Sequence, residues 1–256
     1  FAVQDALVTK LVDALAVEVP GDARRRLVQH STADPEAWQL YANGRYQLER
    51  RSPNGVLRAR EFFQQAIARD PQFALAITGL SEAWALSGTF ALIPPHEAFE
   101  HARTAAQRAL VIDPKLPSAL VALGHVKTQV DHDWSAGQRL YREALSIAPN
   151  SAWAYAYLSL NTIQSGVAAN AIDYITRAQA IEPSAVGFMA LGGFMRYHMR
   201  QFDAARRQLS AVLESAPGVV LARQFLARVL LAQGDAEAVI RLLEGHNDPA
   251  PGSYSN

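Results

Sequence analysis

Apolar and polar positions along this chain follow a helical period, and proline breaks that period at regular intervals. Residues 1–19 place Phe1, Val3, Leu7, Leu11, Leu15 and Val19 at near-helical spacing, with Asp5, Lys10, Asp13 and Glu18 between them. This predicts an amphipathic helix, stopped by Pro20-Gly21, with a short basic helix around Asp22–Val28 after it. From Pro35 the apolar runs come in pairs: a helical run, a small residue near its middle, a turn, a second run, then proline. The prolines are Pro35, Pro71, Pro114, Pro149, Pro183 and Pro217, spaced 36, 43, 35, 34 and 34 residues apart, and aspartate precedes the first three. Proline cannot donate the intrahelical hydrogen bond but fits a first turn, so it is expected to end one helix and start the next.

Small residues keep the same register. Five residues before each closing proline stand Ala66, Ala109, Ala144, Ala178 and Val212; twelve before stand Ala59, Ala102, Gly137, Ala171 and Ala205. Gly44, Ser81, Gly124, Ser159, Gly193 and Ala227 mark the middle of the first runs. Paired helices that approach closely need such positions, because a large side chain would force them apart. Phe63, Tyr141, Ile175 and Leu209 share a larger apolar position, with Ala106 as the exception. The expected units are 37–71, 74–114, 117–149, 152–183, 186–217 and 220–244, within an array at 34–245. Lead helices in 1–33 precede it, either covering the first repeat or ending an upstream domain. A flexible tail is expected in 246–256.

A 34-residue helix–turn–helix period with this triplet of small positions resembles the tetratricopeptide repeat over Pro35 to Leu243. The resemblance implies an all-α, right-handed solenoid of about six helix pairs behind a lead helix. Leu40, Ile77, Leu120, Tyr155 and Met189 stand where the family has tryptophan in the first helix. Extra residues lie near Arg51–Val56 in repeat 1 and Thr89–Glu97 in repeat 2, and are expected to lengthen the turns inside those repeats. The stretches FAVQDALVTKLVDAL, DPEAWQLYANGRYQLERRSPNG and HDWSAGQRLYREALSIAPN are similar to the C-terminal repeat regions of bacterial winged-helix transcriptional regulators. Related regions occur in some multidomain adenylate cyclases and serine/threonine kinases. The resemblance implies the sensing or partner-binding part of a cytoplasmic regulator whose DNA-binding part lies upstream. A free-standing scaffold, a regulatory domain on a cyclase or kinase, and the periplasmic part of a membrane-anchored regulator stay open. The start at Phe1 reads as a piece of a longer polypeptide.

Charge and composition narrow the chemistry. The chain has 24 basic and 24 acidic side chains, so no basic excess points to phosphate binding, and direct contact with nucleic acid is not expected. With no cysteine, disulfides, thiol catalysis and thiolate metal sites are excluded. No apolar stretch approaches the roughly 18 residues of a membrane span. His96 and His101 are five apart, about 140° around a helix and not the one-turn spacing of a zinc-protease motif. Asp131-His132-Asp133 is expected to cap the next helix, through Asp133 or Ser135, in preference to holding a metal. There is no phosphate loop and no nucleophile elbow. The expectation is a non-catalytic chain without cofactor or metal.

What remains is a surface. In the resembled fold the fifth, ninth, twelfth and thirteenth residues of each repeat face the concave side. They and Trp153 give a candidate peptide-binding set of Tyr41, Arg45, His125, Trp153, Leu160, Ile163, Phe194, Tyr197 and His198. The groove so drawn is apolar and aromatic, and it lacks the lysine/asparagine/arginine clamp with which some family members hold a chaperone's terminal carboxylate. An apolar or mixed peptide or protein segment is the expected partner, held by aromatic anchors. Leu160, Ile163 and Phe194 have packing against neighbouring helices as the competing role. The helix holding Met189, Met195 and Met199 is apolar on nearly every face and is expected to be buried. An exposed apolar face on the lead helix or the open last repeat would permit a homodimer.

Overall fold

The computed structural model describes residues 32–166 and 170–244. The expected lead helices, apart from residues 32–33, and the expected tail lie outside these. Among the described residues twelve helices form six pairs: α1 (Pro35–Glu49) with α2 (Pro53–Arg69), α3 (Ala74–Thr89) with α4 (Pro95–Ile112), α5 (Pro117–Gln129) with α6 (Trp134–Ile147), α7 (Ala152–Gln164) with α8 (Ala171–Ile181), α9 (Val186–His198) with α10 (Phe202–Ser215), and α11 (Val220–Ala232) with α12 (Ala236–Glu244). There is no strand among the described residues. Each helix packs on the next, and the first helices of successive pairs also touch one another, so they form the inner layer of a solenoid. None of these helices is long and apolar enough to cross a membrane.

The prolines act on the residue before them. Asp70, Asp113, Ala148, Glu182 and Ala216 cap the second helices with φ between −129° and −143° and ψ between 77° and 95°. The ring of the following proline disfavours a helical conformation at that residue. Each capping residue then accepts a hydrogen bond from the amide three residues on, as from Phe73 to Asp70 at 3.1 Å and from Ala185 to Glu182 at 3.2 Å. The next first helix opens three residues after the proline, at Ala74, Pro117, Ala152, Val186 and Val220. These five prolines therefore end helices without starting them; Pro35, which opens α1, does the latter. Asp34, Ser52, Asp133 and Ser151 accept from first-turn amides as side-chain caps.

The small positions are where helices meet. A Cβ on Gly44 or on Gly79 would lie 2.6 Å from Cε1 of Phe63, so one ring fills the gap between α1 and α3. Leu209 fits against Gly193 in the same way. Ala59, Ala66, Ala102, Ala109, Ala144, Ala171, Ala178 and Ala205 are fully buried. Met195 is buried and Met189 half-buried, and Met199, just past the end of the helix, is 39% exposed, so the methionine-rich stretch is only partly internal.

The extra residues of repeats 1 and 2 extend helices, not turns. Helices α1 to α4 have 15, 17, 16 and 18 residues, against 13 and 11 for α7 and α8. Gly88 belongs to α3, where its backbone lies against Ala98, and is not a turn residue. Every turn inside a repeat contains a left-handed residue among those described: Arg51, Ala91, His132, Gly166, Arg200 and Gly234, with φ between 50° and 79°. Val220 and Leu221, at the start of α11, pack against the cluster that holds Leu48, Val56, Leu86 and Phe90. The stack thus closes on itself through side chains.

Candidate functional site

A cavity of about 600 Å3 opens on the inner layer of repeats 1 to 4. Tyr41 and Arg45 of α1, Thr78 and Glu82 of α3, Val121 of α5 and Trp153 of α7 line it, with the start of α5 at 116–118 and the turn at 148–151 beside them. Tyr41 and Arg45, and likewise Thr78 and Glu82, are four apart, so each pair lies on one helix face one turn apart. Arg45 donates from Nη1 to Oε2 of Glu82 at 2.6 Å, and the two side chains are only 25% and 23% exposed. The carboxylate raises the pKa of the arginine well above its ordinary value. Burial raises that of the Tyr41 phenol.

Arg51 sits behind the wall of this cavity. It occupies the α1–α2 turn at φ 50°, and only 8% of it is exposed. Its guanidinium carbon lies 4.2 Å from the ring centroid of Trp153, a cation–π contact in a desolvated setting. The group lines a small pocket of about 20 Å3 with Ser81, Glu82, His125, Trp153 and Tyr157, room for about one water. His125 stacks on Tyr157 at 4.4 Å and meets the edge of Phe99 at 5.8 Å. Burial, and then the charge of Arg51, push the imidazole pKa down to about 4, so it is neutral at pH 7. Burial raises the Tyr157 phenol to about 12 and lowers the pKa of Arg51 itself.

The nine residues expected to form one groove fall into separate places. Tyr41, Arg45 and Trp153 share the large cavity, and His125 lies one layer behind it. Leu160 and Ile163 are partly buried against the cluster of Ala156, Ile175 and Phe188. Phe194 belongs to two apolar clusters and stacks on Phe225 at 4.3 Å. Tyr197 and His198 close the end of α9, with the exposed His198 edge-on to Phe194 at 4.4 Å. Partial burial and the nearby Arg228 lower the His198 pKa.

Three further residues complete the site: Glu82, Tyr157 and Arg51. Glu82 stands at the ninth position of repeat 2, so the repeat register points to it. The extra residues of repeat 1 are the sequence signal for Arg51, although nothing in them tells where the arginine turns.

Of the other motifs, Asp133 caps α6 by accepting from the Ala136 amide at 2.8 Å. Asp131 pairs with Arg103 at 2.8 Å and Lys127 at 2.9 Å. His101 stacks on Trp84 at 4.4 Å. Among the described residues, no group of three or more His, Cys, Asp or Glu side chains is placed to hold a metal.

Comparison with known proteins agrees with the architecture. A tetratricopeptide-repeat family model matches residues 197–255. The transcriptional regulator HilA of Salmonella typhimurium is 23% identical over 173 residues, which cover 67% of this chain and 31% of that regulator. This chain therefore spans less than a third of that relative. Among solved structures, a thermophilic tetratricopeptide-repeat protein of Thermus thermophilus, TTC0263, matches 76% of this chain and 99% of its own at 17% identity, with a TM-score of 0.58. The human IFIT1 dimer with m7Gppp-AAAA matches 94% of this chain and 54% of its own at 15% identity, with a TM-score of 0.68. At these identities the two structures establish a shared fold.

Proposed function

We propose that this tetratricopeptide-repeat solenoid is a non-catalytic module that binds a protein or peptide segment in the cavity between Tyr41, Arg45, Glu82 and Trp153. We further propose that it serves as the sensing or partner-binding region of a bacterial transcriptional regulator and does not itself contact DNA. The cavity carries the reading. Its volume of about 600 Å3 falls within the range of ligand sites, and it combines two aromatic walls with one ion pair that fixes orientation. Aromatic anchors with few charges suit an apolar or mixed segment. The even charge of the chain supports the absence of DNA contact, and the similarity to HilA supports the regulatory role.

A random peptide display selection against the chain, followed by calorimetry on the enriched sequences, tests the binding role. Trp153→Ala is expected to weaken the selected peptides at least tenfold, while replacing the exposed Arg206 and Arg207 by alanine leaves them unchanged. An empty selection, or equal affinities for Trp153→Ala and the parent, would overturn the reading. The regulatory role predicts an upstream winged-helix segment in the full reading frame; a frame without one overturns that part.

A further inference from the structure

Arg51 holds the face of Trp153 from within the chain, but without a hydrogen bond or ion pair to fix it there: among the described residues its guanidinium stacks on Trp153 but donates no hydrogen bond and meets no carboxylate within ion-pair distance. Its backbone is left-handed, a conformation that side-chain-bearing residues disfavour. The charged and polar groups that face it nonetheless suit a cation. Glu82, Glu49 and the phenol oxygen of Tyr157 favour a positive charge there, and Arg45 opposes it. Glu182 lies within electrostatic reach of Glu49 and of both arginines. The buried His125, next to Arg51, adds no charge at neutral pH. Glu82 gives Arg45 one carboxylate oxygen, Oε2, and Oε1 has no partner among the described residues.

We propose that the face of Trp153 between Tyr157 and Glu82 is a guanidinium site filled in cis by Arg51, and that the segment the groove takes presents an arginine that replaces it. The partner class rests on the peptide-binding reading above; the site itself rests on the stack of Arg51 over Trp153 and the pocket they share with Glu82 and Tyr157. An incoming arginine keeps the stack on Trp153. It also adds a charge-assisted hydrogen bond to Oε1 of Glu82, which Arg51 does not make from its place in the turn. Arg51 thereby sets a threshold for entry: a mixed segment that carries an arginine replaces it more readily than a wholly apolar one.

The test titrates the 256-residue chain and its Arg51→Gln variant with two probes, acetyl-Gly-Arg-Gly-amide and acetyl-Gly-Gln-Gly-amide, followed by tryptophan fluorescence and calorimetry. Arg51→Gln is expected to bind the arginine probe at least tenfold tighter than the parent does, and at least tenfold tighter than it binds the glutamine probe. Equal affinity of parent and variant for the arginine probe, or equal affinity of the variant for both probes, overturns the proposal. Circular dichroism verifies the variant's fold. If Arg51→Gln does not fold, Arg51→Lys replaces it, since it keeps the charge and loses the planar stack; a gain below threefold then overturns the proposal. The two readings fail separately. Selected peptides that lack arginine and bind parent and variant alike sink the guanidinium site and leave the groove. An empty selection beside a clear arginine gain sinks the peptide reading and leaves the site.

Discussion

Ser159 donates its hydroxyl to the carbonyl oxygen of Ala171 at 2.6 Å, joining the small position of α7 to that of α8. Ser81 does the same to Ala102 at 2.7 Å. Repeats 1, 3 and 5 have glycine at the serine position, and there a large side chain of the second helix fills the space. The close approach thus has two solutions, one that leaves room and one that supplies a donor. Ser159→Ala removes the donor from a buried pair and is expected to cost about 1 kcal/mol. In urea the midpoint should fall with an unchanged slope; an unmoved midpoint would show that the hydroxyl only fills space.

The glycine solution has the opposite sensitivity. A Cβ on Gly124 would stand 2.5 Å from Cε1 of Tyr141, whereas one on Gly218 meets nothing within 4 Å. Gly124→Ala is expected to cost about 1–3 kcal/mol through overpacking. Gly218→Ala should be neutral or stabilise by up to about 1 kcal/mol, because it restricts the unfolded chain. Thermal unfolding of the two variants side by side checks the contrast, and equal shifts would refute it.

The left-handed turn residues give a third comparison. Ala91 is exposed at φ 54° and Gly234 sits at φ 78°. A left-handed alanine costs about 1 kcal/mol or more relative to glycine. Ala91→Gly is therefore expected to raise stability by about that amount and Gly234→Ala to lower it, both read from chemical denaturation. Shifts of the same sign would contradict the turn geometry.

His125 makes stability depend on pH. Its folded pKa is about 4 against an ordinary value of 6.5. Between these values the unfolded chain takes up a proton that the folded chain excludes. The stabilisation is therefore complete above pH 6.5 and is lost as pH falls towards 4, in total on the order of 3 kcal/mol. His125→Phe keeps an aromatic ring against Tyr157 without a titrating group. Urea unfolding at pH 7 and pH 4.5 should show a larger drop for the parent than for the variant; parallel drops would place the imidazole in contact with solvent.

The repeat architecture was legible because it rests on rules that hold at every unit. A proline forces its predecessor out of the helical region, and two helices in contact need small residues at the contact, so both leave a periodic trace. Gly44, Ser81, Ala102 and Ala171 all stand where that trace put them. The site was legible only in part, since Tyr41, Arg45 and Trp153 follow the repeat register but their surroundings do not. Phe194 has the same register position as Arg45, yet Phe225 of the following repeat covers its ring. Arg51 opens the stretch of extra residues visible in the repeat spacing, but its approach to Trp153 joins repeat 1 to repeat 4 and leaves no periodic trace. The contact of the Leu48–Phe90 cluster with α11 spans more than 120 residues of sequence, and no local pattern encodes it.

That contact changes how the molecule should come apart. A row of repeats held only by nearest neighbours frays from its ends, each terminal unit detaching at the cost of one interface. Here Val220 and Leu221 tie the last repeat to the first two, so its loss strips cover from the cluster those repeats share as well as from its own neighbour's flank. Opening at one end is transmitted to the other, and the array behaves less like a zipper than like a hoop, with one cooperative unfolding step where a free row would show several.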